Sequence, residues 1–201
     1  MAGDTKIYED RELEIYRQYQ NVIAPFIVDL EVRDGEYPIE IFNEIRATFT
    51  HISRYKVQNS TDDLISAERH IKRATLDCYK YLCVSHAEEI KAFRYNYRSV
   101  DLHLADNGRF LNTLDSLEKQ AKASYIDAKK AEVSRELSDE RIYSMFENAY
   151  NKHCDMLSYL HESEESIRFA STQTRKRNFW TVFSVIITVI SIVVALIGWV
   201  R

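Results

Sequence analysis

Glycine and proline are scarce in this chain, four and two among 201 residues. Pro25, Gly35, Pro38 and Gly108 fall where helical patterns break, so the sequence predicts long helices with few interruptions. No run of glycines can cradle a phosphate, and neither HExxH, an EF-hand loop nor a Ser/His/Asp order stands out, which leaves the chemistry thin. Cysteine is equally sparse. Cys78, Cys83 and Cys154 are an odd number with no CxxC and no paired Cys/His spacing of the zinc kind, so no metal and no cofactor is expected. Their expected state is buried reduced thiols in a cytosolic compartment. The net charge of −4 and pI near 5.9 give no general basic footprint, arguing against DNA as a partner. Met1 to Gln20 is charged throughout and lacks the apolar centre of a secretory signal.

What is present is helical periodicity. Residues from about Thr5 to Ala24 read as an amphipathic helix closed by Pro25, followed by a loop from Asp29 to Tyr37. Pro38 suits the first turn of a helix to about Gln58 with an apolar face of Ile41, Phe42, Ile45, Phe49 and Ile52. Asn59-Ser60-Thr61-Asp62-Asp63 is a start signal, a capping hydroxyl with two acids at the positive helix end. The helix that follows carries Leu64, Ala67, Ile71, Ala74, Cys78, Tyr81, Leu82 and Ser85 inward and is expected to reach Ala105, where Asp106-Asn107-Gly108 stops it. Another, from Arg109 to Glu136, buries Phe110, Leu111, Leu114, Leu117, Ala121 and Ile126. The fold class is therefore all-α: an antiparallel helical bundle over 1–137, a long connecting helix over 138–178, and a single membrane-crossing helix over 179–200.

That last segment decides where the chain works. Phe179 to Val200 carries no charge and is dominated by Val, Ile, Leu and Phe. At about 1.5 Å per residue it spans roughly 33 Å, enough to cross a bilayer core once. Trp180 and Trp199 lie about 28 Å apart on the same measure, the separation of two interfacial belts. Arg175, Lys176 and Arg177 precede the span and Arg201 alone follows it, so the positive-inside rule places the preceding domain in the cytoplasm, tail-anchored in the inner membrane. One register, Ile142, Phe146, Ala149, His153, Met156, Leu160, Ser163, Ile167, Ala170, Thr174 and Arg177, runs on into the span without Gly or Pro, predicting one helix of about 60 residues and on the order of 90 Å. The competing expectation is a break in the wholly polar stretch Gln173 to Asn178.

Within the span, Thr181, Ser184, Thr188, Ser191, Ala195 and Gly198 recur at steps of three and four and form one small-residue face. Such a face permits close helix approach or hydrogen bonding across an interface, or it can line a pore; both uses require several copies, a homo-oligomer in contact with membrane lipid.

Two Arg/His pairs remain, Arg46 with His51 and Arg98 with His103, each with four residues between. Histidine can serve as general acid or base, and arginine can stabilise charge developing on a phosphate. Within one helix this spacing sets the two side chains about 140° apart, so they converge only where two helices build a composite pocket. The bland alternatives are a partly buried His51 beside Phe49 and Ile52, and His103 as a polar helix end. EIRATFTHISR at Glu44 to Arg54, followed by AERHIKRATLDCYKYL at Ala67 to Leu82, resembles helical pairs of HEPN-like proteins in bacterial antiviral systems. With a membrane segment in so small a chain, the plan is similar to the membrane accessory proteins of type VI-B CRISPR systems. That resemblance implies a HEPN-like helical domain, assembly into a pore, an RNA-guided nuclease as partner, and depolarisation of infected cells. Three readings follow: an oligomeric membrane-perturbing effector, a tail-anchored scaffold or adaptor without a channel, and a membrane-tethered HEPN-type ribonuclease acting on RNA. Enzymatic activity is the less favoured of these.

Overall fold

Helical spacing accounts for nearly every element. The computed structural model describes residues 2–33, 35, 38–134 and 136–200, with the side chains of residues 2–7, 33, 198 and 200 outside that description. Arg201 and the expected loop residues Asp34, Glu36 and Tyr37 also lie outside the described residues. The fold is all-α: 92% helical with no strand among the described residues. The helices are α1 (Ala2–Gln18), α2 (Ala24–Arg33), α3 (Ile39–Gln58), α4 (Thr61–Asn96), α5 (Phe110–Ser134), α6 (Asp139–Glu162) and α7 (Glu164–Val200). A wide turn, Tyr19–Ile23, joins α1 to α2, and a tight 3-10 segment, Leu102–Gly108, precedes α5.

The first junction differs from expectation. Pro25 does not end a helix; it sits in the second position of α2, which continues to Arg33 through most of the predicted loop. A proline inside a helix removes one hydrogen bond and its ring collides with the carbonyl four residues back. Here the Ala24 N–H donates to the Tyr19 carbonyl, five residues away, and that wider turn displaces the carbonyls the ring would meet. Pro38 stands immediately before α3, and Asn59 closes it in the left-handed conformation (φ 56°, ψ 35°), its N–H donating to Tyr55 O at 2.8 Å. Asparagine tolerates that conformation better than most side chains.

The chain packs into two compact units, each drawing on two separated stretches: Met1–Ser85 with Ser124–Tyr150, and His86–Ala123 with Asn151–Arg201. In the first, Ile15, Ile23, Phe26, Ile41, Ile45, Leu64 and Ile71 form one core, and Tyr79, Ala128, Ala131, Ile142 and Phe146 a second cluster. The inward face of α3 is Ile41, Ile45, Thr48 and Ile52, whereas Phe42 and Phe49 are 42% and 41% exposed on its flank. Thr48 takes the interior slot because its hydroxyl donates to Glu44 O at 2.8 Å and so needs no water. Phe49 rests edge-on against Tyr19, ring centroids 5.7 Å apart. Likewise Ile126 is exposed, and the inward stripe of α5 instead passes through Ala121, half-buried Tyr125, and Ala128.

In the second unit Ile90, Phe110, Leu114, Met156, Leu160 and Ile167 make the core. Arg94 reaches across from α4 to Asp115 (2.5 Å) and Glu118 (2.7 Å) on α5. Helix α4 stops at Asn96, short of the predicted Ala105. The Asp101 N–H, instead of continuing a helix, donates to the Thr174 hydroxyl at 3.0 Å. The chain then folds through Leu102–Gly108, with Asp106, Asn107 and Gly108 all at positive φ (45°, 52° and 85°). From Ile142 to Thr174 every member of the predicted register is buried, whereas Arg175 to Asn178 are exposed. The one interruption is at Ser163 and not at Gln173 to Asn178. Even there hydrogen bonding continues, with Ser163 N–H donating to Tyr159 O (3.1 Å) and Ile167 N–H to Ser163 O (3.0 Å).

Candidate functional site: the apolar helix and its polar clamp

The polar stretch before the apolar segment is a docking site for its own domain. Thr174 is 5% exposed; its hydroxyl donates to Ala170 O at 2.8 Å while accepting the Asp101 N–H. One turn on, Arg177 Nη1 lies 2.8 Å from Asp101 Oδ2. This hydrogen bond from Arg177 holds the Asp101 carboxyl below the usual carboxylate range. Helix α7 is thus clamped to Asp101, the residue that leads into the Leu102–Gly108 segment, through one buried hydroxyl and one ion pair, just before it turns apolar.

Past Arg177 nothing covers it. Among the described residues one helix is long and apolar enough to cross a membrane, Glu164–Ile197, and none of its apolar window is buried. Removing the fourteen Val, Ile, Leu and Phe side chains of Phe179 to Val200 from water would gain about 1.5–3 kcal/mol each, on the order of 20 kcal/mol or more, a gain that the fold itself leaves uncollected. The segment is compatible with a single-pass membrane anchor. Trp180 and Trp199 are 63% and 88% exposed, and Arg175 and Lys176 are exposed below the first of them.

The small-residue face is present and equally uncovered. Thr181 donates to Arg177 O (2.9 Å), Ser184 to Thr181 O (2.8 Å), Thr188 to Ser184 O (2.9 Å) and Ser191 to Ile187 O (2.9 Å). Each hydroxyl is satisfied within its own helix. The face therefore offers close approach and does not by itself demand a partner. Ala195 continues it; Gly198 lies in the helix, its surroundings outside the described residues.

The Arg/His pairs do not converge within the chain. Arg46 is exposed on α3 and makes no ion pair among the described residues, whereas His51 Nδ1 lies 2.7 Å from Asp63 Oδ1 on α4. Arg98 lies over the Tyr95 ring, 4.2 Å from its centroid, and donates to Tyr95 O at 2.7 Å; His103 is exposed in the 3-10 segment. Neither arrangement brings a guanidinium and an imidazole to one reacting atom.

A different constellation surrounds His51. His70 Nδ1 lies 2.6 Å from Glu44 Oε2, Arg73 Nη1 lies 3.4 Å from Glu44 Oε1, and the two imidazoles stack with centroids 5.2 Å apart and planes at 16°. An ionised carboxylate only accepts, so the proton shared with each ring resides on Nδ1. Each helix carries an acid seven residues before its histidine, Glu44 with His51 and Asp63 with His70, and the antiparallel packing of α3 on α4 cross-pairs them. The repeated acid-x6-His spacing is a legible signal that motif reading alone passes over. His51's hydrogen bond holds the Asp63 carboxyl below its usual range. No group of three or more His, Cys, Asp or Glu among the described residues is placed to hold a metal ion. The cysteines form no disulfide, Cys78 and Cys83 being buried and Cys154 half-buried, and burial pushes the Cys78 thiol well above its ordinary range. A groove of about 790 Å³ in the first unit is lined by Arg69, Lys72, Glu132, Asp139 and Tyr143 among others, not by His51. Comparison with protein-family models, curated proteins and solved structures gives no match for this chain.

Proposed function

We propose that this chain is an oligomeric, membrane-anchored effector whose helical domain is cytoplasmic and whose copies associate through the face of Thr181, Ser184, Thr188, Ser191 and Ala195 to perturb the bilayer. The carrying observation is the unbroken course of α7 from buried Ala170 and Thr174, through the Asp101 clamp, into an uncovered apolar span. A helix held at its base transmits displacement of the domain to the membrane segment, which a flexible tether does not. The basic cluster Arg175 to Arg177 supports a cytoplasmic domain at the inner membrane. The role agrees with what the resemblance to type VI-B membrane accessory proteins implies, including an RNA-guided nuclease as partner. The ribonuclease reading is weaker, because His51 is engaged by Asp63 and Arg46 lies apart from it.

The test is the mass of the assembly in mild detergent and in native lipid, together with dye entry into cells that express the protein. A multimer with dye entry is expected. A multimer without permeability change favours the scaffold reading; a monomer in both media overturns association, and His51-dependent cleavage of single-stranded RNA restores the nuclease.

A further inference from the structure

The segment that clamps α7 also lies at the level where the membrane begins. Arg177 and Thr174 precede Phe179 by two and five residues, about 3 and 7.5 Å along the axis, while the headgroup layer of a bilayer is roughly 5–7 Å deep on each side. Because Asp101 touches both Thr174 and Arg177, the residue that opens the turn between α4 and α5 lies within or at the outer edge of that layer whenever Phe179–Val200 spans the bilayer. An average tilt of about 20° alters these depths only slightly.

The side chains exposed there suit headgroups. Tyr95 is 65% exposed and carries Arg98 stacked on its ring, and tyrosine is a residue type enriched at membrane interfaces. Leu104, within the 3-10 segment, is 38% exposed, and His103 beside it is exposed too. Arg109 is an exposed cation loosely paired with Asp106 at 3.4 Å. Arg98, Arg175 and Lys176 have no carboxylate partner among the described residues, so cations outnumber acids on this surface although the whole chain is acidic. We infer that the Tyr95–Arg109 turn is a second membrane contact, a headgroup-binding surface for anionic phospholipid that seats the domain against the bilayer beside its anchor. Arg98 and Arg109 meet lipid phosphates, Tyr95 lies at the interface, and Leu104 dips toward the acyl boundary. Arg98 and His103, paired by sequence as if for catalysis, belong to this surface.

The inference rests on the anchor reading, and fluorophores on single cysteines separate the two. The full chain with Cys154→Ser, its other thiols buried, is labelled at Leu104→Cys, Glu164→Cys or Ile190→Cys and reconstituted into phosphatidylcholine vesicles with or without phosphatidylglycerol. Glu164 is the control, thirteen residues and about 20 Å before Arg177 along the same helix. With a nitroxide on the lipid headgroup, the Leu104 probe should lose most of its emission and the Glu164 probe little. The Leu104 loss should be greater with phosphatidylglycerol and should fall toward the Glu164 level in Arg98→Gln/Arg109→Gln. Quenching of Ile190 by an acyl-chain nitroxide reports the span itself. If Ile190 is quenched and Leu104 behaves like Glu164, the headgroup surface is wrong and the anchor stands; if Ile190 is unquenched, both fall. Equal Leu104 quenching in the two lipid compositions overturns the preference for anionic lipid, with no variant needed.

Discussion

Asp63 shows how a single side chain can be misread when only its own helix is in view. By sequence it is an acid in the first turn of α4, favourable there through the helix dipole. In the fold it also accepts from His51, with Ser60 and Arg54 adding smaller stabilisation of the charged form. Its folded pKa lies below the unfolded value of about 3.9, so its contribution to stability is fully present above that pH and is lost as pH falls through the folded value. Thermal melts of wild type and Asp63→Asn between about pH 3 and pH 7 should therefore show the variant less stable near neutrality, with the gap closing at the acid end. A gap independent of pH would mean that the pair adds nothing through ionisation. The Arg/His spacing was visible in the sequence, but its meaning was not: an interval of five along a helix cannot report that His51 faces Asp63 while Arg46 faces solvent. The spacing of Glu44, His51, Asp63 and His70 is in the sequence, but the cross-pairing of His51 with Asp63 and His70 with Glu44 is fixed only once α3 lies against α4.

Elements were more legible than sites, because a helix repeats its signal over several turns. The register Ile142 to Thr174 is buried at every predicted position, since apolar and small residues recur there at steps of three and four over about nine turns. The core face of α4 from Leu64 to Leu82 is as well marked, with Tyr81 at its half-buried margin. Periodicity points to the wrong face where a large apolar residue adjoins the true stripe, as at Phe42, Phe49 and Ile126, and to the wrong boundary where a distant group redirects the backbone. The early end of α4 is of the second kind: Asp101 finds its acceptor 73 positions away on Thr174, beyond any local pattern. That hydrogen bond makes a measurable claim. Thr174→Val keeps shape but leaves the Asp101 N–H without its acceptor, a cost of about 1–3 kcal/mol. Amide exchange at Asp101 should accelerate by about one to two orders of magnitude, whereas Arg177→Gln, which removes an exposed ion pair worth under about 1 kcal/mol, should change it much less. Equal effects would show that the ion pair, and not the hydroxyl, fixes the helix base.

For the molecule as a whole, the unanswered demand is the exposed apolar length of α7, and two surfaces respond to it differently. Val, Ile and Phe on most of the circumference suit lipid, which distinguishes such side chains poorly. The small face is different, because lipid fills the grooves beside Ser184, Thr188 and Ser191 less well than another helix does, and their hydroxyls, already bonded to their own backbone, add no penalty to either arrangement. For the proposed association, packing and not hydrogen bonding is then the expected source. Replacing Ser184, Thr188 and Ser191 together by Leu should fill the close-approach surface and weaken assembly, read as a shift of the multimer toward monomer on dilution in detergent. Changing Ile186, Val193 and Ile197 to Leu on the opposite side should leave the assembly mass unaltered. A hydrogen-bonded interface predicts something else: Ser184→Ala, Thr188→Val and Ser191→Ala, which keep the size and lose the hydroxyls, would then dissociate the complex as strongly as the leucines do. Retained assembly in that second variant, with loss in the first, identifies shape as the determinant. Dye entry that follows assembly across both variants ties the packed helices to permeability, and permeability lost while the multimer persists assigns the hydroxyls to a water-filled lumen.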